Sequence, residues 1–392
     1  MITRFSVKNF KALRDVSLEL TPVHVLIGPN DSGKTSFLEA IAALCRSVEA
    51  PSMSGAFEGR WEGPELVWGH DPSLKVWLDA EVSTHPPKPS LRYSLTCQFY
   101  TQGHDALLTE ERIQQLPDGQ DVNKGNGSNT WVHRVLAGPP SQSDEYRLAS
   151  EVHDALSGVQ FCGWDPEMLR LPVGLKSQSR FRMERSGLGL PRVLDEILGD
   201  DRERFSRVEE RFKKLFPGIE SIKLRTEAAY EDMAGTGEAP LLRKVEGKGI
   251  AFALSGSGVT IPASQASDGT ILALAYLAVR HVPRAPRVLL IEEPENGFHP
   301  KRLETVVEIL REVVGEQDRS QVVLATHSPY ILDFFEPREV TVCQKTKDGE
   351  VTVRSLSESD VVRRQSKIFT LGEIWTAEGE EQLTRRAEGA QK

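Results

Sequence analysis

A short apolar run and an amphipathic segment flank Gly28-Pro29-Asn30-Asp31-Ser32-Gly33-Lys34-Thr35, in which two glycines frame four residues and are followed by lysine and a hydroxyl. A loop that wraps its backbone N–H groups around a β-phosphate needs glycine where other residues are sterically excluded. It also needs a lysine that reaches the β- and γ-phosphates and a hydroxyl that ligates Mg²⁺. Gly33, Lys34 and Thr35 are those residue types at that spacing. Val23 to Ile27 predicts a buried strand before the loop, and Phe37, Leu38, Ile41, Leu44 and Cys45 predict a helix after it. The helix N-terminus would then point at the anion. Gly28, Pro29, Asn30, Asp31, Ser32, Gly33, Lys34, Thr35 and Ser36 are therefore the candidate cradle for ATP and its Mg²⁺.

Two later strands end in groups suited to phosphoryl transfer. Val288 to Ile291 runs into Glu292-Glu293. Strand alternation should aim the two carboxylates differently. Glu292 is expected on the metal side and Glu293 at the attacking water. Val322 to Ala325 runs into Thr326-His327-Ser328, which would place His327 beside the same pocket, where it could sense the γ-phosphate. A histidine at a strand end is more often structural; its order after the other two motifs favours the functional reading.

These motifs together resemble the ABC-type ATPase superfamily, and more narrowly its RecF/SMC/OLD-like branch of AAA-family ATPases. The opening Val7-Lys8-Asn9-Phe10-Lys11-Ala12-Leu13, with the glycine loop, is similar to that branch's start. Glu292-Glu293-Pro294-Glu295-Asn296-Gly297-Phe298-His299-Pro300 resembles its Walker B and D-loop, and Thr326-His327-Ser328-Pro329 its switch histidine. The resemblance implies an α/β, ABC-type P-loop head of two lobes that hydrolyses ATP within a homodimer. It also implies a signature motif that closes on the partner's γ-phosphate. Leu254-Ser255-Gly256-Ser257-Gly258 looks like a hairpin turn. Ser267 and Gly269, just before an all-apolar helix over Ile271 to Val279, are the better candidates, the plainer reading being an N-cap by Ser267. A Q-loop glutamine stays open between Gln98 and Gln178.

The remaining sequence sets the organisation. A length of 392 residues suggests two or three lobes. The expected division is residues 1–46 as a first ATPase lobe and 47–245 as a mostly antiparallel and helical insertion, with 101–145 a polar stretch carrying turns. Residues 246–340 would form a second ATPase lobe, and 341–392 C-terminal strands with a frayed, charged end. Residues 189–215 read as helical. No run of about 18 apolar residues occurs, so no membrane partner is expected. The four cysteines are far apart and form no CxxC pair, which fits a reducing cytoplasm.

The net charge of −9 speaks against a wholly basic surface. Arginines and lysines do cluster between Arg170 and Lys214, interleaved with glutamates; a solvated helix face is the plainer reading and a DNA-backbone patch the sharper one. Only 65 residues follow His327, and they contain no buried strand ending in a paired-aspartate motif, so no nuclease centre of the OLD type is expected here. Three functions remain in view. One is an ATP-driven switch in DNA repair or anti-phage defence, acting with a separate effector. The others are a transporter's nucleotide-binding subunit and a nucleotide-gated scaffold without turnover.

Overall fold

The computed structural model describes residues 1–384 except 58, 60, 84–89, 118, 120, 175–181, 233–241, 284 and 316–319. The chain forms two compact units, one comprising 1–161, 287–294 and 314–392, the other 162–286 and 295–313.

The first unit opens with strands β1 (Ile2–Phe10), β2 (Leu13–Glu19) and β3 (Val23–Ile27). Every residue of β3 is buried, as its Val-His-Val-Leu-Ile run predicts for a strand covered on both faces. Helix α1 (Lys34–Ser47) follows the glycine loop. Strands β4 (Val76–Val82), β5 (Leu91–Phe99), β6 (Ala106–Gln115) and β7 (Asp121–Asn123) come next, then helices α2 (Trp131–Leu136) and α3 (Asp144–Leu156) and strand β8 (Val159–Cys162).

Strands β4 to β7 do not stand apart as an insertion. They continue the antiparallel sheet begun by β1 and β2, in the order β2-β1-β4-β5-β6-β7. The stretch 101–145, expected to be polar connection, contains β6, β7 and α2. A bulge explains why β6 was illegible: Thr96 pairs with Glu110 but Cys97 pairs with Leu108, so the inward phase shifts along the strand. The shift turns Glu111 inward, where it is wholly buried. Its carboxylate accepts from Tyr93 Oη (2.9 Å) and from the backbone N–H groups of Trp131 and Val132 at the start of α2. Burial pushes the Glu111 carboxyl up, opposed by these hydrogen bonds.

The second unit contains α4 (Pro166–Arg170), β9 (Val173–Gly174), α5 (Leu190–Asp200), α6 (Arg202–Leu215), β10 (Ile219–Asp232), β11 (Leu242–Leu254), β12 (Thr260–Pro262) and α7 (Asp268–His281). The helical stretch 189–215 is two helices, because Asp201 leaves the helical conformation and caps α6 by accepting from the N–H groups of Glu203 and Arg204. Strands β10 and β11 form a long ribbon, of which the sequence suggests only the last residues of β11, as one arm of the hairpin over 250–261. The turn at Gly256 to Gly258 joins β11 to β12, as expected. Residues Gly269 to Val279 of α7 are all buried, in keeping with a helix that is apolar on every side.

The chain returns to the first unit through β13 (Val288–Glu292), places α8 (Leu303–Val313) in the second, and ends in the first with β14 (Gln321–Thr326), β15 (Val340–Lys345), β16 (Val351–Ser355), α9 (Asp360–Gln365) and α10 (Leu371–Thr384). The central sheet runs β16-β15-β3-β14-β13-β8. Strands β15, β3, β14 and β13 are mutually parallel, so their C-terminal ends lie on one edge. The expected second lobe is thus divided: its strands β13 and β14 lie in β3's sheet in the first unit, while α7 belongs to the second. Residues 385–392, most of the segment expected to fray, lie outside the described residues.

Candidate functional site

The parallel edge gathers the loop after β3, the end of β13 and the end of β14, which is the usual place for a ligand in such sheets. The two framing glycines have steric reasons. A Cβ on Gly28 would lie 2.1 Å from the Cys343 carbonyl oxygen. Gly33 has φ +86° and lies under Val351, whose Cγ2 would be 2.6 Å from an added Cβ. Inside the loop, Lys34 is buried, and its Nζ donates to the carbonyl oxygens of Gly28 and Pro29, both at 2.8 Å. Asp31 adopts φ +66°, and its Oδ2 meets Nζ of Lys345 at 2.6 Å.

A cleft of about 340 Å³ opens over this loop. Residues 30–36 line it together with Ala12, Glu292, Glu293 and Ala325. The Thr35 hydroxyl donates to Glu292 Oε1 at 2.5 Å. Glu293 lies one residue beyond β13, takes φ +49°, and still donates its N–H to the Ala325 carbonyl at 2.8 Å. Glu292 and Glu293 therefore diverge through a left-handed turn of the backbone as well as through strand alternation. The Glu293 carboxylate is in contact with Nδ1 of His327, which follows β14 directly. Thr326 steadies that corner, its Oγ1 accepting from the N–H of Ser328 at 2.9 Å. The structure thus brings the loop, Glu292, Glu293 and His327 together at one sheet edge.

The other candidates lie elsewhere. Ser267 is the N-cap of α7, accepting from the Thr270 N–H at 3.3 Å. Gly269 is packed so closely that a Cβ would approach the Gly297 carbonyl oxygen at 2.9 Å. Both residues have local structural duties in the second unit. Arg170 binds the same turn: buried, it pairs with Glu167 and donates to the Ala266 carbonyl (2.9 Å) and Asp268 Oδ1 (2.5 Å). Gln98 is a β5 residue opposite Leu107, and Gln178 lies outside the described residues, as do Lys176 and Arg180 of the basic run. Arg204, Arg207 and Arg211 pair with acidic neighbours, Arg211 with Glu308 and Glu312, which supports the solvated-face reading of that run.

Two further polar groups, His24 near the start of β3 and Lys345 at the loop, have no motif that announces them. His24 on β3 is bonded to Thr341 Oγ1 at 3.0 Å, and burial lowers its imidazole to about 4. Lys345 gave no local signal, because its partner is 314 positions away. All four cysteines are buried and unbridged, and burial pushes the thiols of Cys45, Cys97 and Cys343 up to about 12, so none is suited to nucleophilic work. No helix among the described residues is long and apolar enough to cross a membrane.

Residues 1–127 match the family described as "AAA ATPase domain", and residues 176–333 the family described as "AAA domain, putative AbiEii toxin, Type IV TA system". An OLD nuclease from Thermus scotoductus is 24% identical over 427 aligned residues, covering 99% of this chain and 71% of that protein. Among solved structures, an Smc head bound to the C-terminal winged-helix domain of ScpA overlays with a TM-score of 0.48 at 18% identity, over 90% of this chain and 97% of that one. The Thermotoga maritima SMC head overlays with a TM-score of 0.40 at 13% identity, over 90% and 98%. AAA-type matches over residues 1–127 and 176–333 and a nuclease relative along nearly all of the chain fit an ABC-like, AAA-type ATPase of the RecF/SMC/OLD kind.

Proposed function

We propose that the cleft binds ATP with Mg²⁺ and that two chains close head to tail around two such nucleotides. The observation that carries this reading is the convergence of Lys34, Thr35, Glu292 and Glu293 on one cleft over a glycine loop. The loop amides and Lys34 would hold the phosphates. Lys34 sits on loop carbonyls within the cradle, a position from which a short side-chain movement reaches an anion. The Thr35 hydroxyl and the Glu292 carboxylate are hard oxygen donors in mutual contact, the chemistry Mg²⁺ selects. The ion would neutralise charge on the phosphate oxygens.

Glu293 would accept a hydrogen bond from the attacking water and orient it, while His327 holds the carboxylate in place and meets the γ-phosphate. Ser267 and Gly269 of the opposite chain would close the site, and excluding water there would strengthen every fixed donor. Loss of the γ-phosphate would then loosen the dimer. The nuclease relative supports a role on nucleic acid; DNA repair or anti-phage defence, acting with a separate effector, is the form of that role we propose.

The test measures ATP turnover and molar mass by light scattering, with and without duplex DNA, for the wild type and Glu293→Gln. Turnover by the wild type and an ATP-dependent dimer of the variant are expected, and stimulation by DNA would support the repair or defence role. A chain that stays monomeric with ATP in both forms would overturn the composite site.

A further inference from the structure

Asp31 is an unexpected residue in a loop that receives a polyphosphate. Its left-handed backbone is of the kind glycine adopts most cheaply, yet the position carries a carboxylate whose side chain is 79% exposed and borders the cleft. A negative charge there opposes an incoming anion.

The opposing cation comes from the far end of the sequence. Lys345 ends β15 with Nζ 2.6 Å from Asp31 Oδ2. The β15–β16 hairpin that carries it is fixed to the loop at other points. The Cys343 carbonyl lies against Gly28, and Val351 lies against Gly33. Glu350 pairs with Arg14 on β2. Lys345 and Val351 are partners across the hairpin, so the element that packs on the loop also delivers the ammonium. An exposed pair of this kind adds little to fold stability. Its consequence lies in the field at the phosphate seat.

We propose that Lys345 is a positioning residue of the nucleotide site: it draws the Asp31 carboxylate onto β15 and offsets its charge, and so sets the affinity for a polyphosphate. The proposal rests on reading Gly28 to Ser36 as the nucleotide cradle.

Its test is the affinity of the full chain for fluorescent ATP and ADP analogues at several salt concentrations, with thermal melting alongside. Lys345→Ala should weaken ATP binding by about three- to tenfold at low salt, less at high salt, and should weaken ADP binding less than ATP binding. Lys345→Arg should bind like the wild type. The Asp31→Asn/Lys345→Ala pair should recover affinity to within about twofold, because the uncompensated carboxylate is gone. Unchanged ATP affinity in Lys345→Ala would overturn the proposal. So would a loss that persists in the double variant with a lowered melting midpoint, since that marks a brace without a charge role. Should the wild type bind no better than Lys34→Ala, the cradle reading itself falls and takes the proposal with it.

Discussion

The Thr35 hydroxyl and Glu292 Oε1 lie 2.5 Å apart although 257 positions separate them in the chain. Parallel pairing explains the meeting. Strand β14 lies between β3 and β13, and all three end on the same edge, so the residues just past β3 and the last residue of β13 converge. Glu292→Ala should lower Mg²⁺-dependent ATP turnover by about 10- to 100-fold while nucleotide binding measured in chelator is retained. Equal loss of binding with and without Mg²⁺ would remove Glu292 from the metal's shell.

The Glu293 and His327 contact predicts unequal effects. Glu293→Gln should cut turnover by at least about 100-fold with ATP still bound. His327→Ala should cut it less, by about tenfold, because the carboxylate remains but loses the group that fixes its direction. Single-turnover measurements would separate these losses from slow product release. A His327→Ala enzyme more impaired than Glu293→Gln would reverse the assignment.

His24 makes the fold sensitive to acid. Its folded imidazole titrates near 4 against an ordinary value of 6.5, so above 6.5 both the folded and unfolded states hold it neutral. As pH falls from 6.5 towards 4, the unfolded chain takes the proton first and stability is lost, by roughly 3 kcal/mol over the window. The denaturation midpoint should therefore fall across that range, and His24→Gln should flatten the slope. Parallel slopes for the two proteins would exonerate His24.

Glu111 behaves in the opposite sense. Burial raises its carboxyl, so the protonated form is favoured in the fold and this group's contribution declines as pH rises through its folded value. Glu111→Ala should destabilise the first unit by about 2–4 kcal/mol, because Tyr93 Oη and the first amides of α2 lose their acceptor. Glu111→Gln keeps one acceptor and should cost less. Trp131 fluorescence during denaturation reports both, and equal costs would contradict the hydrogen-bonding account.

What could be read from the sequence was local. Gly33, Lys34 and the apolar stripe of α1 follow one another within a few turns of chain, and β13 runs straight into its two carboxylates. Features that depend on a change of phase or on distant partners were hidden. The bulge in β6 breaks the alternation that would have revealed the strand, and the same bulge buries Glu111. Ribbon β10–β11 carries exposed charged residues such as Lys223 and Arg243, so it offers no clean apolar face to a pattern search. The left-handed turn at Glu293 has no glycine to announce it. His24 looked like one polar interruption in an apolar strand; its Nδ1 meets the nearby Thr21 hydroxyl, but its Nε2 is satisfied by Thr341, 317 positions away.

Strand β3, which carries the glycine loop, is paired on one side with β14 and on the other with β15, and neither exists until residues beyond 320 have been made. During synthesis the loop emerges before either strand that pairs with β3, and pairings across such sequence separations are slow to form. A ribosome-bound or prematurely terminated chain would thus carry the complete phosphate-loop sequence without a working cradle. Nucleotide capture would be reserved for finished molecules, and fragments released by nonsense mutation or proteolysis would not compete with them for ATP.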